Sequence, residues 1–300
     1  MPKHLPYRNV SAMFQIGLKP MAMASWLDTG RDHASFMAEK RARLKGRPPT
    51  YYRSITQSLA AQAELLQTII ANLAEHHSAG FRVGSRQLVD RIDGSRHSLA
   101  QPSLEPLEIA GNILEEDFIL FEKHDGADII SAASNAYTSS GRIVSCVGQD
   151  MRYAHDQVPG LNEQLGPRID RVLGHVRNGA PVVRFNWLIT AIANRLYPQG
   201  SHHSSATEEV AQALARDYAR AGDLLFARTE QQTFVRLPKT GALAFGIHTY
   251  SDPLSSLVGD VESLAAIHRL IGEYSEDRLA YSGLLAIRQP LLRWIEDQLR

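Results

Sequence analysis

Arg228, Glu230 and Arg236 stand at even spacing in the run LLFARTEQQTFVRLPKTGALAFGIHTYSDPL, residues 224–254. In an extended chain, residues of one parity share a face, so two guanidiniums and a carboxylate meet whatever lies against that face. Two readings are open: a solvated sheet face, or a face whose arginines hold an anionic ligand. Arg184 and Asn186, in VVRFNWL, also share parity and present a cation and an amide together. Of the twelve histidines, nine lie in the N-terminal arm, in turns, in polar loops or on surface-like helices, and His33 is among them. His155, His175 and His248 remain. His175 reads as a solvated helix residue, and His248 shares parity with Tyr250 in a closing strand. Cys146 sits in the apolar run Ile143 to Val147 and reads as a small buried residue rather than a nucleophile.

These groups need elements to hold them. Leu225 to Leu237 and Ala242 to Tyr250 read as the arms of a β-hairpin around the turn Pro238-Lys239-Thr240-Gly241. Pro253 cannot donate to a ladder and closes the second arm. Asp117 to Lys123 and Asp128 to Tyr137 read as strands joined by His124-Asp125-Gly126, and Pro181 to Ala191 as a third strand. Helices are predicted from Asp28 to Leu44, from Ser54 to about His76, from Thr207 (as N-cap) to Ala221, and through residues 259–300. Trp26 reads as a core anchor.

Composition narrows the function. Lys plus Arg (32) balance Asp plus Glu (32), so no basic field favours nucleic acid. A single cysteine excludes an intrachain disulfide and fits a reducing cytoplasm. No apolar run reaches the roughly 18 residues of a membrane span, and the first residues lack a signal-peptide core. The expectation is an ordinary soluble cytoplasmic protein, with a homo-oligomer left open.

The hairpin resembles the signature of the haem-dependent oxidative N-demethylase family. The matching residues are Arg228, Glu230, Gln232, Thr233, Arg236, Leu237, Pro238, Gly241, Ala242, Thr249, Tyr250, Pro253 and Leu254. Gly17, Leu18, Pro20, Trp26, Leu27 and Asp28 also match, as do Arg184, Asn186 and Trp187. The order of two strands, a helical stretch and three strands is that of a PAS-like domain, and the resemblance agrees. The expected fold is therefore α+β: a PAS-like antiparallel five-stranded sheet with helices on one face, wrapped by N- and C-terminal helices. Residues 1–114 would form an N-terminal helical region, 115–255 the haem-binding core and 256–300 the C-terminal helices.

The resemblance implies a haem-dependent monooxygenase that uses O2 to oxidise an amine-type small molecule. There is no Cys-x-x-Cys-His motif, so haem b would be held non-covalently. His155, in YAHDQVPG, would be the axial ligand of the iron, with His248 as a distal group or alternative ligand. Arg184 and Asn186 would contact a propionate or bound oxygen, and Arg228 and Arg236 the propionates, with Tyr250 beside the cofactor. The chain has neither a Gly-x-Gly-x-x-Gly after a strand nor the cysteines of an iron–sulfur cluster, so electrons would come from a separate reductase. One segment departs from the family: NAYTSSGRIVSCVGQDM lacks its usual Pro and Trp, which puts the substrate in doubt. The alternatives are a PAS-like haem or small-ligand sensing protein without catalysis, and a haem-free structural relative.

Overall fold

In the computed structural model, residues 1–9, 17–30, 32–100, 103–136, 143–154, 156, 162–163, 171, 173–195 and 205–300 are described. Strand β1 is Lys19–Pro20 and β2 is Tyr52–Ser54. A small sheet is made of β3 (Phe81–Val83), β4 (Gln87–Asp90) and β5 (Arg96–Ser98). The long strands are β6 (Asp117–His124), β7 (Ala127–Ser134), β8 (Val182–Thr190), β9 (Phe226–Arg236) and β10 (Leu243–Pro253).

The main sheet is antiparallel, with order β1-β8-β9-β10-β6-β7-β2. The architecture is α+β as expected, but the sheet has seven strands rather than five, and a second sheet of three accompanies it. The two additional strands are a two-residue β1 on β8 and a three-residue β2 on β7. They cover one end of each edge strand and shorten the template for unwanted pairing.

Strand alternation sorts the core. Ile119, Phe121, Phe234, Leu243 and Phe245 lie on the front face under Val144, Cys146 and Val176. Phe118, Leu120, Val235 and Ala244 lie on the back, under helices α2 (Leu59–His76) and α3 (Pro106–Ile113). Ile189 and Ala227 continue the back face under helices Val261–Gly272 and Arg288–Gln298. Helical segments thus lie on both faces of the sheet. N- and C-terminal helices share its back, while residues 143–154 and 173–176 contribute to the cover of its front.

Local chemistry explains the elements. In α2, Leu65, Leu66, Ile69 and Leu73 recur at helical spacing and are all buried. Helix α3 starts on a capping box of Glu105 and Glu108 with Pro106 in its first turn. Asp125 (φ 49°) and Gly126 (φ 84°) form the two-residue β6–β7 turn, as the Asp-Gly pair requires. Trp26 is buried, its ring 6.3 Å from that of Phe118.

Candidate functional site

The hairpin face that carries Arg228 and Glu230 is not solvated. Arg228 is 1% exposed and Glu230 5%. Strand register sets them beside Asn186 and Arg184, because Asn186 pairs with Glu230 and Arg184 with Gln232. All five side chains therefore project to the front face of β8 and β9. Glu230 Oε2 accepts hydrogen bonds from Gln232 Nε2 (3.0 Å) and Asn186 Nδ2 (3.3 Å). Its other oxygen lies 3.8 Å from Arg228 Nε. Arg228 Nη1 donates to the carbonyl of Arg195 at 2.6 Å. Arg184 Nε is buried and has no hydrogen-bond partner among the described residues. Burial lowers the Arg184 pKa and the Glu230 carboxylate opposes that shift. Next to this polar corner stand Val182, Ile247 and the stacked rings of Phe234 and Phe245, 4.5 Å apart. The face thus offers an apolar wall with a buried cation and a buried anion at one end.

Arg236 shares that parity but is used otherwise. Its guanidinium donates to the carbonyls of Val176 (3.0 Å), Leu173 (2.8 Å) and Gly241 (2.9 Å), tying residues 173–176 to the hairpin. His155 lies outside the described residues.

His248 and Tyr250 project to the back face, paired with Gln231 and Thr229. There they join a buried assembly that residue types alone did not reveal. His33, expected on a surface-like helix, is fully buried at the start of helix α1 (His33–Leu44). Its Nδ1 is 2.8 Å from Glu115 Oε1 and its Nε2 is 2.7 Å from Asp90 Oδ2. His248 lies 3.2 Å from Glu116 Oε1 through Nδ1 and 3.6 Å from Glu115 Oε2 through Nε2. Tyr250 donates its hydroxyl to Asp28, which also pairs with Lys3. Burial works against the charge of both imidazoles, yet the facing carboxylates raise both pKa values. Burial likewise opposes ionisation of Glu115. The His33 hydrogen bond, the charges of His248 and Arg195 and the Gly30 amide outweigh it and hold Glu115 at about 2. One signal in the sequence pointed here: Glu115-Glu116-Asp117 is a run of three acids at the mouth of an apolar strand. Such a run calls for buried partners.

Could the front face hold a haem, an apolar macrocycle with two propionates? An apolar wall ending in a guanidinium whose buried Nε has no hydrogen-bond partner among the described residues fits such a group in its chemistry. Together these features define an α+β protein with a buried charged corner on one face of an antiparallel sheet. The chain belongs to the family described as haem-dependent oxidative N-demethylase, alpha subunit-like, which it matches over residues 17–292.

Proposed function

We propose that this protein is a haem-dependent, O2-using oxidoreductase that removes an N-alkyl group from a small amine. The observation that carries the reading is the front-face pair: Arg184, whose buried Nε has no hydrogen-bond partner among the described residues, and Glu230, a buried carboxylate one strand away. Family membership supplies the reaction class. The five long strands run β7-β6-β10-β9-β8, which in their own chain order is 2-1-5-4-3. That order supports a PAS-like core, with β1 and β2 as additions.

In this reading Arg184 pairs with a propionate, and Arg228 adds a second positive charge to the same face. Val182, Phe234, Phe245 and Ile247 line the apolar side. His155 is proposed as the axial ligand. Bound haem b supplies the oxygen activation and electron-transfer chemistry that no side chain provides. Glu230 holds the ammonium form of the amine as its counter-charge. Asn186 and Gln232 keep the carboxylate turned to the face by donating to one of its oxygens. His248 and Tyr250 act from the other side of the sheet, in the charge network that braces β10. Electrons come from a separate reductase, for which the chain offers no flavin or iron–sulfur motif of its own.

The test is formaldehyde release from N-methylated amines by the haem-loaded protein with an added reductase. The reading predicts formaldehyde in step with O2 consumption, absent without reductase. It also predicts that Glu230→Gln raises KM for the amine roughly tenfold, as loss of a charge-assisted contact should. Amine-independent O2 consumption with no formaldehyde from any amine tested would contradict it.

A further inference from the structure

Among the described residues, Arg195 joins the front-face carboxylate to the back-face ion network around the end of the sheet. Arg195 follows β8, and its side chain is 10% exposed. Nη1 donates to Glu115 Oε2 at 2.8 Å and to the Thr249 carbonyl at 3.3 Å. Nη2 meets Asp32 Oδ2 at 2.7 Å, and the guanidinium carbon lies 3.6 Å from the Phe36 ring centroid. A planar fork held by two carboxylates, a carbonyl and a ring has one orientation available. The backbone of Arg195 takes part as well. Its carbonyl is the acceptor for Arg228 Nη1 at 2.6 Å. Arg228 in turn is buried with its Nε 3.8 Å from Glu230. A separation of 3.8 Å is too long for a hydrogen bond. The attraction between Arg228 and Glu230 therefore depends on where the guanidinium is held. Ser251 adds a second tie, donating to the Ala193 carbonyl at 3.0 Å, so the chain after β8 is pinned to β10 at both residues.

We propose that Arg195 is a positioning residue for the front-face site: its side chain, locked by Glu115 and Asp32, places the carbonyl that orients Arg228 and hence the field on Glu230. The functional half of this proposal rests on reading Glu230 as the counter-charge of the amine. The Arg195 side chain itself meets Glu115, Asp32 and Phe36, not Glu230. If its grip is lost, Arg228 loses the hydrogen bond to the Arg195 carbonyl, and the field that its guanidinium sets on Glu230 changes.

The full-length protein, labelled with nitrogen-15 in its arginines, tests this by solvent exchange of the guanidinium protons, with Arg228→Lys giving the assignment. In the wild type the Arg228 protons should be protected. In Arg195→Gln they should exchange about tenfold faster, with Arg195→Lys between the two. Dimethylammonium, titrated as a probe, should bind Arg195→Gln about fivefold more weakly and recover in part in Arg195→Lys. Unprotected Arg228 protons in the wild type, or unchanged exchange in a folded Arg195→Gln protein, overturn the proposal. If Arg195→Gln does not fold, wild-type protection and Arg195→Lys decide it. Release of Arg228 in Arg195→Gln without dimethylammonium binding by the wild type supports the positioning link and removes the amine reading of Glu230.

Discussion

At the scale of single residues, His33 shows how geometry dictates charge. Both ring nitrogens face carboxylate oxygens within 2.8 Å, at a fully buried position. A neutral imidazole would point one lone pair at an anion, so the ring carries two protons. Its pKa is raised in the folded state. The stability it contributes is fully present below the unfolded value of about 6.5 and is lost as pH rises through the folded value. His33→Gln should cost about 3–5 kcal/mol near pH 6, because it strips a buried ion pair of its cation. It should also flatten the alkaline side of a plot of melting temperature against pH. A variant with unchanged stability at pH 6 would contradict the imidazolium assignment. Arg184→Leu should leave the fold intact and weaken haem retention, measured by transfer to apomyoglobin. At this scale the sequence was half legible. Parity correctly grouped Arg184 with Asn186, and Arg228 with Glu230. Burial of the hairpin face and of His33 was hidden, because both depend on partners 44 to 82 residues away in the chain.

Among elements, the hairpin of β9 and β10 was the most readable. Its turn cluster, its closing proline and its alternation are all local signals. One support was not local: Glu64 of α2 accepts hydrogen bonds from the turn amides of Lys239 (2.7 Å) and Thr240 (2.8 Å). Glu64→Ala should therefore destabilise the protein by about 2–4 kcal/mol, the loss of two charge-assisted bonds. Amide exchange at Lys239 and Thr240 should rise well beyond that of neighbouring residues. Gly246 marks a close approach. A Cβ there would sit 2.8 Å from Thr233 Oγ1 and 3.1 Å from Phe118 Cε1. Gly246→Ala should cost about 1–3 kcal/mol by overpacking, read as a lowered melting temperature. The strands β1 to β5 escaped the sequence because each has only two to four residues, too few for alternation to register. Thr207 was expected as a helix cap, yet the helix begins at Ser205 and takes Thr207 into its first turn. A cap signal at one position does not exclude a start two residues earlier.

Across the whole molecule, the sheet divides labour between its faces. The back carries two helical layers and the buried acid–imidazole network. The front carries an apolar wall and the Arg184–Glu230 corner. Among the described residues no helix is long and apolar enough to cross a membrane. The α+β class was legible because long strands and amphipathic helices declare their periods. The two edge strands and the small sheet were not, since their pairing is decided by what the rest of the chain leaves exposed. The central claim is that the front face holds a haem. It is tested most directly by the visible absorption spectrum of the protein produced with haem supplied. The account predicts a strong Soret band that shifts on reduction and again on addition of carbon monoxide. A protein that folds but shows no Soret band under those conditions would contradict it.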